Sequence, residues 1–490
     1  MPLIPDRRET IAGASAALAR GELTCEELLE RCLGRIDAWE SQIHAWVSVD
    51  REGARRQARE CDARLARHRS EGSVESLSPL FGIPIGIKDI IDIAGQVTGA
   101  GSSARMDGPP AEHDAPVVRK LREAGAIILG KTVTTQFACF DPPPTRNPWN
   151  LEHTPGGSSS GSAAGVAAGM CLGAIGSQTG GSIIRPASFC GVAGCKPTFG
   201  RVSCAGVVPV APSLDTVGPI AGCVTDLAIM LNAISSWHRV NPNGNPIDDA
   251  AINLSNLAPS NIKPPRLALL ASRFSFPRMQ SDGQIAREPD GRVALEPVEC
   301  FERFSLASMW LALSRVVARF RSAGASVVER DPGWFESSPH RAIMAYELAD
   351  SHRDRFRKLR FDYRPTVAGL IEEGILTTRG EYDKACCAQE GAIAESEALM
   401  QDVDALICPA ARGPAPDPTT TGDPLFNSRW TYTGQPAITI PMELSPDGLP
   451  LGIQLIGRRF DEAGLFRAAA WCESVLPQLT PKEPPKEPAG

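Results

Sequence analysis

No two cysteines of this chain stand at CxxC spacing and no two histidines stand at the spacing of a metal-ligand pair. Its 14 cysteines and 7 histidines therefore suggest neither a zinc site nor a disulfide framework. The cysteines are expected to be reduced, most of them in the core, and no metal or other cofactor is expected. Positive charge is not in excess: the formal net charge is -7 and the pI about 5.7, so no overall basic field draws in nucleic acid or an anionic membrane. Long hydrophobic runs are missing too. The opening MPLIPDRRETIAG holds no apolar core of signal-peptide length, and the most apolar run, 163–175, is too short and glycine-rich to span a bilayer. The expectation is a cytoplasmic protein, monomer or homodimer, that acts on a neutral small molecule without nucleic-acid or membrane partners. Its 490 residues are enough to bury a large core.

The stretch present in place of these features is rich in glycine and serine. Residues 156–201 read GGSSSGSAAGVAAGMCLGAIGSQTGGSIIRPASFCGVAGCKPTFGR. An isolated GGSSSGS is usually a linker. Here it runs directly into Ala163-Ala164-Gly165-Val166-Ala167-Ala168-Gly169, which predicts a closely packed helix, and then into further apolar residues. Glycines beside serines can aim several amide N–H groups at one point, a nest suited to an anion or a developing oxyanion.

Around this centre the pattern alternates. Residues 10–69 predict helix, with Thr24 and Glu27 as a capping box. Residues 79–91, PLFGIPIGIKDII, predict a buried strand carrying Lys88, a lysine that either snorkels to solvent or, if buried, loses its proton and can act as a base. A helix over 112–124 and a strand over 126–129 follow. Strands are expected at 325–328 and 403–408, helices at 225–235, 304–323 and 380–400, and two strands around a turn at Pro446-Asp447-Gly448. Residues 238–265 and 277–297 predict surface excursions. The alternation argues α/β.

Two short patterns compete. Gly125 to Thr132 satisfies the P-loop spacing that marks nucleotide binding, but its intervening residues predict the strand itself and not a phosphate-wrapping loop. Gly157-Ser158-Ser159-Ser160-Gly161 satisfies GxSxG, with Ser159 as nucleophile. No apolar strand precedes it, and only His238, His340 and His352 lie downstream as a base.

Taken in order and spacing, GIPIGIKD, PGGSSSGSAAGVAAG, QTGGSIIRPASFCG, KPTFGRVS and SLDTVGP resemble the amidase signature family over most of the chain. The resemblance implies a single large α/β/α domain with a mixed central β-sheet covered by helices, over 71–480 with its core motif at 156–201. A helical scaffold over 1–70 precedes it and a disordered tail over 481–490 follows. It implies a Ser-cisSer-Lys triad in which Lys88 is the base, Ser158 the relay on a cis peptide and Ser182 the nucleophile. Backbone N–H groups of Thr179, Gly180, Gly181 and Ser182 form the implied oxyanion hole. Two positions depart from the family pattern: Gln178 replaces an aspartate and Ile184 an arginine, with Arg185 one place later. The ion pair usual there is expected to be replaced by uncharged support.

By the same resemblance, the segments 134–140 and 427–433 approach the site from opposite sides. Gln136, Phe137 and Trp430 are the candidate substrate-binding residues, the two aromatics standing either as pocket walls or as ordinary core. The implied reaction is hydrolysis of a linear carboxylic amide, aryl or alkyl, through an acyl-enzyme by a stand-alone hydrolase. Carbamate or urethane hydrolysis uses the same groups. The resemblance also admits a glutamine-dependent amidotransferase subunit, which needs partner chains, and a non-catalytic binding protein.

Overall fold

A computed structural model describes Ile4 and residues 9–235, 251–270, 273–277, 295–299, 307–333 and 338–479. His238, the tail 481–490 and most of the two expected surface excursions lie outside the described residues.

Near the N-terminus the side chains dictate three helices. Thr10 caps Ile11–Arg20. Thr24 opens Cys25–Ile43 through the expected box, its hydroxyl accepting from the Glu27 N–H while the Glu27 carboxylate accepts from the Thr24 N–H. Asp50 caps Arg51–Glu71. Between the last two, Trp46–Val49 is a strand where helix is expected throughout: its large and β-branched residues lie antiparallel along the sheet. Asp226 accepts from the Ile11 and Ala12 N–H groups, so the first helix is capped from the far side of the core.

The strands are, in chain order, β1 (Trp46–Val49), β2 (Pro84–Lys88), β3 (Ile127–Thr132), β4 (Gly173–Gln178), β5 (Ala193–Lys196), β6 (Thr216–Ala221), β7 (Arg266–Leu270), β8 (Arg273–Pro277), β9 (Leu295–Glu299), β10 (Ser326–Arg330), β11 (Ala405–Pro409), β12 (Ala437–Leu444) and β13 (Pro450–Ile456). Eleven of them form one sheet in the order β1-β3-β2-β4-β6-β5-β12-β13-β11-β7-β10, and β8 pairs only with β9. Pairing is parallel for β3-β2-β4 and β11-β7-β10 and antiparallel elsewhere, a mixed sheet. β2, β3, β4 and β11 are buried along their whole length, which explains their near-continuous apolar text. β10 differs from the expected core strand: as the last strand of the sheet it leaves Ser326 and Glu329 exposed.

β3 continues past its apolar run, taking in Gly130, Lys131 and Thr132. Lys131 is buried, donating to the Ile91 carbonyl at 2.6 Å and the Thr98 hydroxyl at 3.0 Å and facing Asp89 at 3.3 Å. A lysine spent inside the sheet cannot cradle phosphate, and the P-loop pattern is a coincidence of spacing.

Small residues let the helix Ser160–Ala167 sink entirely into the core. At Gly161 a Cβ would meet the Ala45 carbonyl oxygen at 2.1 Å and the Val133 nitrogen at 2.4 Å, so only glycine permits this approach. The Gly161 N–H instead donates to the Val133 carbonyl. No helix among the described residues is long and apolar enough to cross a membrane.

Candidate active site

Two parallel neighbours, β2 and β4, bring their C-terminal ends together, with Ile87 opposite Ile175. This register sets Lys88 beside Ser177. Lys88 is fully buried, and its Nζ donates to Ser158 Oγ at 2.8 Å and to Ser177 Oγ at 2.9 Å. Because burial disfavours the ammonium, its pKa is pulled from 10.5 down to about 7 against the opposing pull of Asp215. Ser158 follows a cis Gly157-Ser158 peptide bond and lies just ahead of the buried helix.

After β4 the chain leaves the sheet at Thr179, Gly180, Gly181 and Ser182, and all four, with Ser158, line one cavity of about 210 Å³. That is room for a small amide. Three carbonyls of this loop are tied: Thr179 O accepts from His340 Nε2 at 2.8 Å, Gly180 O from Thr431 Oγ1 at 2.9 Å and Ser182 O from the Ser159 N–H at 3.3 Å. None of the four N–H groups donates to another described residue. Fixed carbonyls with uncommitted amides are what a nest for a developing oxyanion requires.

Gln178 carries the support that a charged pair would otherwise give. Its Oε1 accepts from the Ile183 N–H at 2.9 Å and the Ile184 N–H at 3.1 Å, and its Nε2 donates to Thr431 Oγ1 at 3.2 Å. Arg185 donates through Nε to the Thr421 carbonyl and through Nη2 to the Gly157 carbonyl, each at 2.7 Å. Two residues to which the sequence analysis gives no part in this loop hold it. Asp215 accepts from Thr179 Oγ1 at 2.5 Å and from the Val210 and Ala211 N–H groups, and burial pushes its pKa up to about 6. Buried His340, held on the neutral side by desolvation, anchors Thr179. Asp215 sits in the quoted SLDTVGP motif, a usable signal; His340 has none nearby in sequence.

The three candidate substrate-binding residues lie behind the wall and not on it. Gln136 donates to the Asp362 carbonyl and accepts from the Arg364 N–H. Phe137 is fully buried, stacked on Tyr363 at 5.0 Å with His352 at its edge at 4.6 Å. Trp430 packs with Ile184, Leu406 and Ile456. Their neighbours reach the cavity instead: Ala138, Cys139 and Phe140 on one side, Ser428 on the other. In the helix Ser428–Tyr432 a two-residue step turns about 200°, so Ser428 facing the cavity sends Trp430 into the core.

Ser159, the nucleophile of the competing pattern, is fully buried and exchanges hydrogen bonds with the Ser177 backbone. His340 is committed to Thr179 and His352 meets Tyr363, so neither serves Ser159 as a base. No cluster of three or more metal-binding side chains occurs among the described residues.

The model of the Amidase family matches residues 27–466. Among curated relatives, a glutamyl-tRNA(Gln) amidotransferase subunit of Desulforapulum autotrophicum is 33% identical, covering 96% of this chain and 98% of that protein, and its counterpart in a Roseiflexus species is 35% identical, with 94% of each covered. A solved chain from a vestigial protein complex, described as revealing the evolutionary origins of an s-triazine catabolic enzyme, superposes with TM-score 0.81 at 28% identity, covering 96% of this chain and all of that one. Native peptide amidase from Stenotrophomonas maltophilia gives TM-score 0.74 at 28% identity, with 97% and 99% covered. A family match across most of the chain, relatives above 30% identity over nearly its whole length, and the shared mixed sheet converge: the chain belongs to the amidase family, enzymes that act on carbon–nitrogen bonds.

Proposed function

We propose that this chain cleaves a carboxamide C–N bond through an acyl-enzyme on Ser182. The observation that carries the reading is the contact of buried Lys88 Nζ with Ser158 Oγ at 2.8 Å. Ser182 Oγ attacks the carbonyl carbon as its proton passes to Ser158, whose own proton passes to neutral Lys88. Charge building on the carbonyl oxygen meets the N–H groups of 179–182. The relay then runs backwards, protonating the nitrogen so that it leaves as amine or ammonia, and water releases the acid by the same route. Carbamate cleavage follows the same steps.

On the setting of this chemistry, the relatives named as amidotransferase subunits favour the amidotransferase form over the stand-alone hydrolase. In that form glutamine supplies the amide and the ammonia passes to a partner chain. The stand-alone form is favoured by the apolar lining of the cavity, where Phe140, Val210, Met344 and Pro424 would suit an apolar acyl group, and by the likeness to peptide amidase. Ammonia release from glutamine and from simple amides, measured on the isolated chain and on the chain recovered with its native partners, separates the two. Glutamine turnover that requires the partners supports the amidotransferase form. Full turnover of simple amides by the isolated chain, with glutamine untouched, supports the hydrolase. Release from neither, in any preparation, contradicts both.

A further inference from the structure

A second cavity, of about 480 Å³, takes no part in the chemistry proposed above. It shares supports with the catalytic one. Pro209 borders it while Val210, the next residue, borders the catalytic cavity. The helix Ser338–Lys358 sends His340 and Met344 to the catalytic cavity and, two turns further along the same face, Ser351 and Arg355 to this one. Asp92, Arg105 and His352 complete its titratable lining.

Most of the charge around this cavity is matched. Arg355 Nη2 meets Asp362 Oδ2 at 3.2 Å, and that carboxylate, its side chain 1% exposed, also accepts from the Ser102 and Ser103 hydroxyls and the Ala104 N–H. Asp89 and Lys131 pair with each other at 3.3 Å, both sealed from solvent. His352 is buried beside Tyr363, and burial draws its pKa down to about 4, which leaves it neutral. Arg105 and Asp92 remain. Both are half-buried and open to the cavity. Arg105 donates through Nε to the Thr98 carbonyl at 3.0 Å, and Asp92 Oδ1 accepts from the Thr98 hydroxyl at 2.7 Å. The two attract each other across the cavity but form no ion pair among the described residues, and Arg355 repels Arg105 from its other side. A cation and an anion held apart on one space are the complement of a small molecule that carries both charges.

We infer that this cavity binds an aliphatic α-amino acid as its zwitterion, the carboxylate on Arg105 with Arg355 beside it and the ammonium on Asp92. The ligand's charges must lie close together because Thr98 anchors both of their partners. Val207, Val208 and Pro209 supply an apolar wall for its side chain. A dianion would meet Asp92, and an amine without a carboxylate would meet two arginines. The site is separate from Ser182 and does not depend on the reaction proposed there.

Calorimetric titration of the full chain with L-leucine and its two deletion analogues tests the assignment. 4-Methylpentanoate lacks the ammonium and 3-methylbutylamine lacks the carboxylate. Leucine is expected to bind at one site per chain, and each analogue to bind at least about tenfold more weakly, the worth of one hydrogen bond to a charged group. In Asp92→Asn the advantage of leucine over 4-methylpentanoate is expected to fall toward one, and in Arg105→Gln its advantage over 3-methylbutylamine to do the same. Both side chains also brace Thr98, so if either variant fails to fold the three ligands on the wild-type chain decide. No binding of leucine, or an analogue that binds the wild-type chain as tightly as leucine does, overturns the zwitterion site. Leucine binding that neither folded variant weakens puts the ligand elsewhere and overturns it as well.

Discussion

Lys88 shows how burial turns a common residue into a reagent. On a solvated strand end it would stay an ammonium; inside β2, with only hydroxyl partners, its pKa falls to about 7. The proposed relay needs the neutral amine, so kcat/KM is expected to rise as pH increases through about 7 and then to level off. A smooth fall from neutral to alkaline pH with the fold intact would contradict the role. Lys88→Ala and Ser158→Ala are each expected to slow turnover by about a hundredfold or more, the usual worth of a positioned proton carrier, with the circular dichroism spectrum unchanged. Lys88, Ser158 and Ser182 could be singled out in the sequence only through the family resemblance, and the structure brings the first two into contact. Asp215 and His340 act through hydrogen bonds to Thr179, and such contacts are made by the fold and not by sequence neighbours.

At the scale of elements, the loop after β4 depends on what holds its ends. Gln178 accepts from two consecutive buried N–H groups just after Ser182, and Thr431 links its amide to the Gly180 carbonyl. Gln178→Ala removes that acceptor, and a buried donor left unpaired costs about 1–3 kcal/mol. Thermal unfolding should show a loss of that order, with kcat reduced more than KM is raised, because the loop positions charge that develops only in the transition state. Unchanged stability and turnover would show that the loop is held by other contacts. Helix and strand types were largely readable from periodicity, as at 225–235 against the observed Val224–Ile234. Less readable were short or rotated elements. β1 is four residues between two long helices, and the facing of Trp430 is decided by helical phase within five residues.

Across the whole molecule, the sheet order explains why residues far apart in sequence meet. β2 and β4 are neighbours although β3 and several helices intervene in the chain, so a lysine from one strand end reaches serines on either side of the glycine-rich helix. That crossover is a tertiary fact: the family resemblance implied a mixed sheet and a triad, the alternation of elements argued only α/β, and neither gave the strand order. The N-terminal helices join the same body through Asp226 and the packing of β1 on β3. The central claim, a nucleophile at Ser182 fed by this assembly, is tested most directly by intact mass after incubation with a fluorophosphonate, comparing the wild-type chain with Ser182→Ala and Ser159→Ala. The account predicts one adduct on the wild type and on Ser159→Ala, and none on Ser182→Ala. An adduct that persists in Ser182→Ala and vanishes in Ser159→Ala would contradict it.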